Sequence, residues 1–167
     1  MYAVETPWFS RDGYRQIGWV GDRESGIRLR LWLRRDTSSI ILPMPRISRL
    51  SEFDLTQQRS RFYAAALPAT TLDDVKQLLG ERKKKFHKAR HHCWACRVRD
   101  DRGQIVEQAR DDGEVGKPGM KMLELLRHHD LEGLLVVSRI FGGVKLGPGG
   151  VGRAFRDAAS GAIQGLG

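Results

Sequence analysis

With 167 residues, the chain is long enough for one domain with an appendage and for one substantial hydrophobic core. Its 29 basic residues outnumber 20 acidic ones, and the net charge of +9 predicts attraction to polyanions, with nucleic acid first. Two cysteines are too few for a disulfide scaffold, and no apolar run approaches the roughly 20 residues of a membrane span.

The composition also predicts where the protein resides. The opening residues lack the apolar segment of a secretory signal, and the few cysteines are typical of a reducing compartment. We therefore expect an intracellular, cytoplasmic protein. The first fifty residues hold nine Arg and no Lys, a bias shared with organelle transit segments, so a mitochondrial location is the alternative.

Residues 1–50 read as a basic, β-rich N-terminal extension. Tyr14–Val20 and Ser38–Leu42 are strand candidates, Gly21–Gly26 is a turn, and Ile27–Arg34 alternates apolar and polar residues with the period of a half-buried strand. The polar face of that strand has two interpretations. It is either a solubilising surface or a basic RNA-binding surface whose aromatic ring stacks on RNA bases. Its residues are Arg28, Arg30, Trp32 and Arg34.

The prolines that follow interrupt this pattern. Pro43 and Pro45 cannot continue a sheet ladder, so Pro43–Ser60 reads as a connection with a short helical turn. We predict an extension at 1–50, a linker at 51–59 and a main domain at 60–167.

The main domain opens with a strand and a helix. Phe62–Leu67 is a strand candidate, and Thr71 with Asp74 resembles a capping box. The helix that follows turns Leu72, Val75, Leu78 and Leu79 inward and ends in a cluster of cations. That cluster either complements the helix dipole or contacts a phosphate backbone. Its members are Arg82, Lys83, Lys84, Lys85, Lys88 and Arg90.

A hairpin is predicted next, from strand His92–Arg99 through a turn to Gln104–Arg110. Cys93 and Cys96 lie three residues apart, so on a strand they point to opposite faces and are better core residues than zinc ligands. After the hairpin, Asp111, Asp112, Gly113 and Glu114 form either a plain turn or a carboxylate group suited to magnesium or acid–base work. A helix then begins at Pro118 and carries Met122, Leu123, Leu126 and His129.

The C-terminal stretch combines a buried strand at Leu134–Val137, a glycine-rich loop and an amphipathic helix from Val151. The loop formally contains G-x-G-x-x-G, yet no strand follows the helix, and Pro148 stands where a P-loop has its lysine. Two interpretations stay open: the loop holds an anion at a helix N-terminus, or its glycines serve packing alone. On the second, we expect Gly149→Val to harm folding at least as much as binding. The anion-binding candidates are Arg139, Gly142, Gly143, Lys145, Gly147, Gly149, Gly150 and Arg153.

Four segments in this order resemble the IMPACT/YigZ family over about residues 60–159. The resemblance lies in SRF at 60–62, HHCWACRV at 91–98 with His91 and Cys93, DDGE at 111–114 followed by Gly116 and Gly119, and VVSRIFGGVKLGPGGVGRAF at 136–155. Ile140 stands where relatives have an aromatic, and the opening fifty residues match neither of the second domains that relatives commonly carry.

The resemblance implies a two-layer α+β sandwich like a small-subunit ribosomal protein domain, with a four-stranded sheet and helices on one face. It also implies a non-enzymatic protein linked to translation, without a cofactor. With the positive charge, it leads us to expect binding to RNA or a ribosomal particle, as a component, assembly factor or regulator. An adaptor for proteins of a translation-control kinase pathway is the alternative, and a phosphate-handling enzyme using the glycine loop is a weaker one.

Overall fold

The chain divides into two compact units, Met1–Met44 and Pro45–Gly167. A computed structural model describes residues 45–167 with their side chains and, in the first unit, the backbone of 14–21, 28–34 and 40–41. No helix within this described part is long and apolar enough to cross a membrane.

The first unit contains a small antiparallel sheet. Its strands are β1 (Tyr14–Gly21), β2 (Arg28–Arg34) and β3 (Ile40–Ile41), in the order β1-β2-β3. The strand predicted from alternation at Ile27–Arg34 and the two strand candidates on either side of it are therefore confirmed. The predicted turn at Gly21–Gly26 falls largely outside the described residues, as do the side chains of Arg28, Arg30, Trp32 and Arg34.

The second unit is α+β, with a five-stranded antiparallel sheet and three helices. Its strands are β4 (Ser51–Gln57), β5 (Ser60–Leu67), β6 (His91–Arg99), β7 (Ile105–Arg110) and β8 (Gly133–Ile140), in the order β4-β5-β8-β6-β7. The helices are α1 (Leu72–Lys85), α2 (Pro118–His128) and α3 (Gly147–Gln164).

The prediction of a four-stranded sheet preceded by a linker at 51–59 was wrong, because β4 occupies most of that linker. Gln58 and Arg59 have φ values of 44° and 64°, the left-handed pair that a tight two-residue hairpin requires, and they return the chain from β4 into β5. Neither residue is the glycine or asparagine that signals such a turn. β4 is also a largely exposed edge strand, so its apolar pattern is weak.

Helices cover both faces of the sheet, so the expected arrangement with all helices on one face was also wrong. One face packs against α2 and α3 and includes Phe62, Cys93 and Val137. The opposite face, which includes Cys96, Val98 and Val136, packs against α1 through Val75, with Leu72, Leu78 and Leu79 half-buried. Apolar side chains at consecutive positions of β5, β6 and β8 reflect this double coverage, since each strand is buried on both sides.

The two cysteines confirm the opposite-face prediction. Cys93 lies on the α2/α3 face and Cys96 on the α1 face, and both are fully buried and unbonded to each other. Burial raises the pKa of the Cys93 thiol far above its ordinary value and that of Cys96 to about 11. Both thiols therefore stay protonated near neutral pH, as expected of core residues.

The predicted capping box at the start of α1 is present. The Asp74 amide donates to Thr71 Oγ1 at 3.1 Å, and Asp74 Oδ2 accepts from the Thr71 amide at 3.0 Å. The same carboxylate accepts from the Thr70 amide at 2.8 Å, and these hydrogen bonds, those from Thr70 above all, hold the pKa of Asp74 at about 2. The start of α1 is thus fixed by local side-chain chemistry.

Candidate functional site

Segments far apart in sequence meet at one end of the sheet. The register places His91 at the start of β6 opposite Arg139 near the end of β8. Arg110, the last residue of β7, pairs with Trp94, so the Asp111–Glu114 segment emerges at the same end. The glycine-rich loop follows β8 there and leads into α3. The antiparallel register therefore brings three segments singled out in the sequence to one place: the start of β6, the Asp111–Glu114 segment and the glycine-rich loop.

The two aspartates of the Asp111–Glu114 segment accept hydrogen bonds from other parts of the protein. Asp111 Oδ1 accepts from the Gly119 amide at 2.8 Å in the first turn of α2, and its carbonyl accepts from the Cys93 thiol at 3.0 Å. Asp112 Oδ2 accepts from the His92 amide at 2.8 Å, and the Asp112 carbonyl lies 2.8 Å from His91 Nδ1. Both carboxylates thus fasten the segment to β6 and α2.

Glu114 completes the segment through a buried ion pair. Its Oε2 lies 2.7 Å from Arg139 Nη1, and the two side chains are only 6% and 8% exposed. Arg139 Nη2 lies 3.5 Å from the buried Ser60 hydroxyl, which also accepts from the Gly142 amide at 3.3 Å. The charge of Arg139 is thereby neutralised within the protein, and β5, β8 and the glycine loop are joined at one point.

The glycines of the loop differ in what they do. A Cβ at Gly142 would lie 2.0 Å from the Arg59 carbonyl group, so only glycine fits there. Gly143 and Gly147 have φ values of +89° and +68°, which other residues rarely adopt. Gly149 has open space, and a Cβ there would meet only the Arg153 side chain at 3.7 Å. We expected that a side chain at Gly149 would disturb the packing, but the structure leaves room there. The position without room for a side chain is Gly142.

The N-terminus of α3 has no side-chain cap within the described residues. Leu146 is at the N-cap position, Pro148 lies in the first turn, and that turn contains no acidic residue. Arg153 lies beside Gly149 on the next turn. Amide groups of a first helical turn lack intrahelical acceptors and carry a partial positive charge, which favours an anion.

A cavity of about 450 Å³ opens at this helix end. Phe141 forms part of its wall and is 51% exposed, although it directly follows a buried strand. The Arg139 guanidinium lies 5.5 Å from the centre of the Phe141 ring. The lining residues are Arg90, His91, Val115, Arg139, Phe141, Lys145, Leu146, Gly147, Pro148 and Val151.

The six predicted cations at the end of α1 have different roles. Arg82 is buried, forms an ion pair with Glu52 and packs 4.4 Å from the Phe86 ring centre. Lys85 also pairs with Glu52, at 2.8 Å, and this hydrogen bond is the main cause that lowers the pKa of Glu52. Arg82 is therefore part of the core, and Lys85 is engaged in the same pair. The remaining four are exposed and form no ion pair within the described residues: Lys83, Lys84, Lys88 and Arg90.

The structure thus brings some of the predicted residues together and not others. Arg90, Arg139, Lys145 and Gly147 share the cavity, while His91 lines it and is held by Asp112. Sequence reasoning missed the apolar wall formed with Phe141. The one local signal was an aromatic residue directly before the glycines, two positions after Arg139. The other apolar wall residues are Val115, Leu146, Pro148 and Val151.

Comparisons with known proteins agree with this architecture. Residues 58–163 match the family described as the Impact N-terminal domain. The IMPACT family member YvyE of Bacillus subtilis is 31% identical over 123 residues, covering 72% of this chain and 56% of YvyE. A crystal structure of a hypothetical protein superposes with a TM-score of 0.61 at 29% identity, covering 70% of this chain and 58% of that one.

A structure of the two-domain translational regulator Yih1 is 27% identical with a TM-score of 0.48, covering 71% of this chain and 46% of Yih1. This chain spans little more than half the length of YvyE. The family match extends from the β4–β5 turn to the last residues of α3 and includes every segment of the site. The chain belongs to the IMPACT family.

Proposed function

We propose that this chain is a non-enzymatic, translation-linked protein that binds RNA of a ribosomal particle through the end of the sheet at which β6 begins. The observation that carries the proposal is the run of exposed cations along residues 83–90, which ends at a residue that lines the cavity. Lys83, Lys84, Lys88 and Arg90 follow one another along the chain, and Arg90 and Lys145 line the cavity. Exposed cations that form no ion pair among residues 45–167 are available to neutralise phosphates.

The overall charge supports the same proposal. A net charge of +9 steers the protein towards polyanions at long range. Family membership adds the link to translation expected from the sequence. The adaptor alternative predicts instead a complex with a protein that survives moderate salt.

The occupied carboxylates give the enzyme alternative no support. Asp111, Asp112 and Glu114 were the candidate acids, and each already accepts a hydrogen bond or ion pair from the protein. These contacts fasten the segment to β6, α2 and β8. The proposal therefore assigns these three residues to building the site.

Sucrose-gradient sedimentation of lysate containing the tagged full chain tests the proposal. We expect co-migration with a ribosomal subunit or its precursor, and this co-migration should disappear as salt is raised because counterion release drives phosphate binding. Migration at the top of the gradient at low salt, or affinity for purified ribosomal RNA that does not change with salt, would contradict it. A salt-resistant complex with a non-ribosomal protein would favour the adaptor.

A further inference from the structure

The cavity at the N-terminus of α3 has the size and chemistry of a site for one nucleotide. Its volume of about 450 Å³ falls in the range of small-ligand pockets. Much of its wall is apolar, with Val115, Leu146 and Val151 beside the half-exposed Phe141 ring. An exposed aromatic ring in an apolar wall offers a flat surface for a base, since every base has a π-face.

The charge of the cavity favours an anionic group. Arg139 is neutralised by Glu114, but Arg90 and Lys145 have no acidic partner within the described residues, so the cavity has a net positive charge. Gly147 brings the first turn of α3 to the same cavity. Two cations together with a helix N-terminus are suited to a phosphate.

His91 supplies a further polar group. Its Nδ1 lies 2.8 Å from the Asp112 carbonyl, which can only accept, so Nδ1 carries the proton in this contact. In the neutral ring Nε2 is then left as an acceptor. A ribose hydroxyl is a donor that could pair with it, and the 2′-hydroxyl distinguishes RNA from DNA.

We propose that this cavity binds one unpaired nucleotide of single-stranded RNA, with its base against Phe141 and its phosphate at the N-terminus of α3 beside Arg90 and Lys145. The inference rests on the proposed function and adds the form of RNA that is recognised. Bases within a duplex are stacked on each other, so only an unstacked base can enter the cavity.

Fluorescence anisotropy with the full chain tests this assignment, using a labelled 12-nucleotide oligouridine and an RNA duplex of the same length. We expect the wild type to prefer the single strand. Phe141→Leu should weaken single-strand binding by roughly fivefold or more, because it removes the ring on which the base stacks, and leave duplex binding unchanged. Phe141→Tyr, which keeps an aromatic ring, should retain the wild-type preference.

The matched control is Phe53→Leu, because Phe53 is 40% exposed but lies on the edge strand β4. It should leave single-strand binding unchanged. Salt-dependent RNA binding with an unaltered single-strand preference in Phe141→Leu would overturn the nucleotide site while leaving the proposed function intact. Failure of the wild type to bind either RNA would instead overturn the proposed function and this inference with it.

Competition distinguishes a nucleotide from a bare anion. Uridine monophosphate should displace the oligouridine at concentrations well below those of inorganic phosphate. Equal displacement by phosphate alone would show a generic anion site and overturn the assignment, as would displacement by an acidic tryptophan-containing peptide but not by the nucleotide.

Discussion

Arg139 and Glu114 form an ion pair at 2.7 Å with both side chains more than nine-tenths buried, and it joins β8 to the segment that follows β7. The two residues have different roles. Arg139 lines the cavity and contacts the Phe141 ring, and Glu114 holds the Arg139 side chain in place. Ser60, on β5, adds the third attachment. The shape of the cavity therefore depends on residues that do not themselves offer charge to a ligand.

Removing one partner of this pair should be costly. Glu114→Gln leaves the buried Arg139 charge without its counter-charge, and we expect the free energy of unfolding to fall by about 3–5 kcal/mol. Urea denaturation measures it. Asp101→Asn, in the exposed β6–β7 turn, is the control and should change stability by less than about 0.5 kcal/mol. A Glu114→Gln variant as stable as the control would contradict the structural role given to the pair.

Two glycine substitutions test which loop glycine is required because its surroundings leave no room for a side chain. Gly142→Ala places a Cβ against the Arg59 backbone at 2.0 Å, and we expect it to destabilise the fold by about 1–3 kcal/mol or more, as overpacking does. Gly149→Ala lies in open space in the first turn of α3 and should be neutral or stabilising by up to about 1 kcal/mol. Thermal unfolding of the two variants measures the difference, and equal melting temperatures would refute it.

Stability should fall on mild acidification because of His92. Burial lowers the pKa of His92 below its ordinary 6.5, and Lys83, Arg82 and His91 lower it further, against the opposing effect of Asp112. The unfolded chain thus takes up a proton more readily than the folded one. The stabilisation is complete above the ordinary pKa and is lost as the pH falls below it.

Comparison of His92→Gln with wild type from about pH 7.5 to about pH 5.5 tests this. The unfolding free energy of the wild type should decrease over that range more steeply than that of the variant, in which the group is absent. His87→Gln, which removes an exposed histidine, should follow the wild-type slope. Parallel curves for His92→Gln and wild type would show that His92 does not cause the decrease.

The cations at the end of α1 should contribute to the salt dependence of RNA binding. Lys84→Gln with Lys88→Gln should lower affinity for ribosomal RNA and reduce the slope of log K against log salt by roughly 1 for each phosphate that the variant no longer neutralises. The control is Lys76→Gln with Arg102→Gln, which removes the same charge at the start of α1 and in the β6–β7 turn. Equal slopes in the two double variants would show that net charge alone governs binding.

Local sequence determined most of the elements of this protein, because alternation, helical periodicity and capping act between near neighbours. Three features followed from local patterns of residue type and spacing: the capping box at Thr71 and Asp74, the opposite faces of Cys93 and Cys96, and the buried strand before the glycine loop. The family was recognised from the sequence in another way, by the resemblance of four motifs in a fixed order along the chain.

Tertiary structure decided how these elements combine. β4 forms because β5 supplies a long ladder beside it, although its own apolar pattern is weak and its turn lacks glycine. Arg82 reads like its neighbouring lysines, yet it is buried because Glu52, thirty residues earlier, faces it across the fold. The cavity exists only because the antiparallel register brings His91, Arg139 and the segment after β7 to one end of the sheet, where α3 begins. Such pairings are long-range, and no local pattern of the chain encodes them.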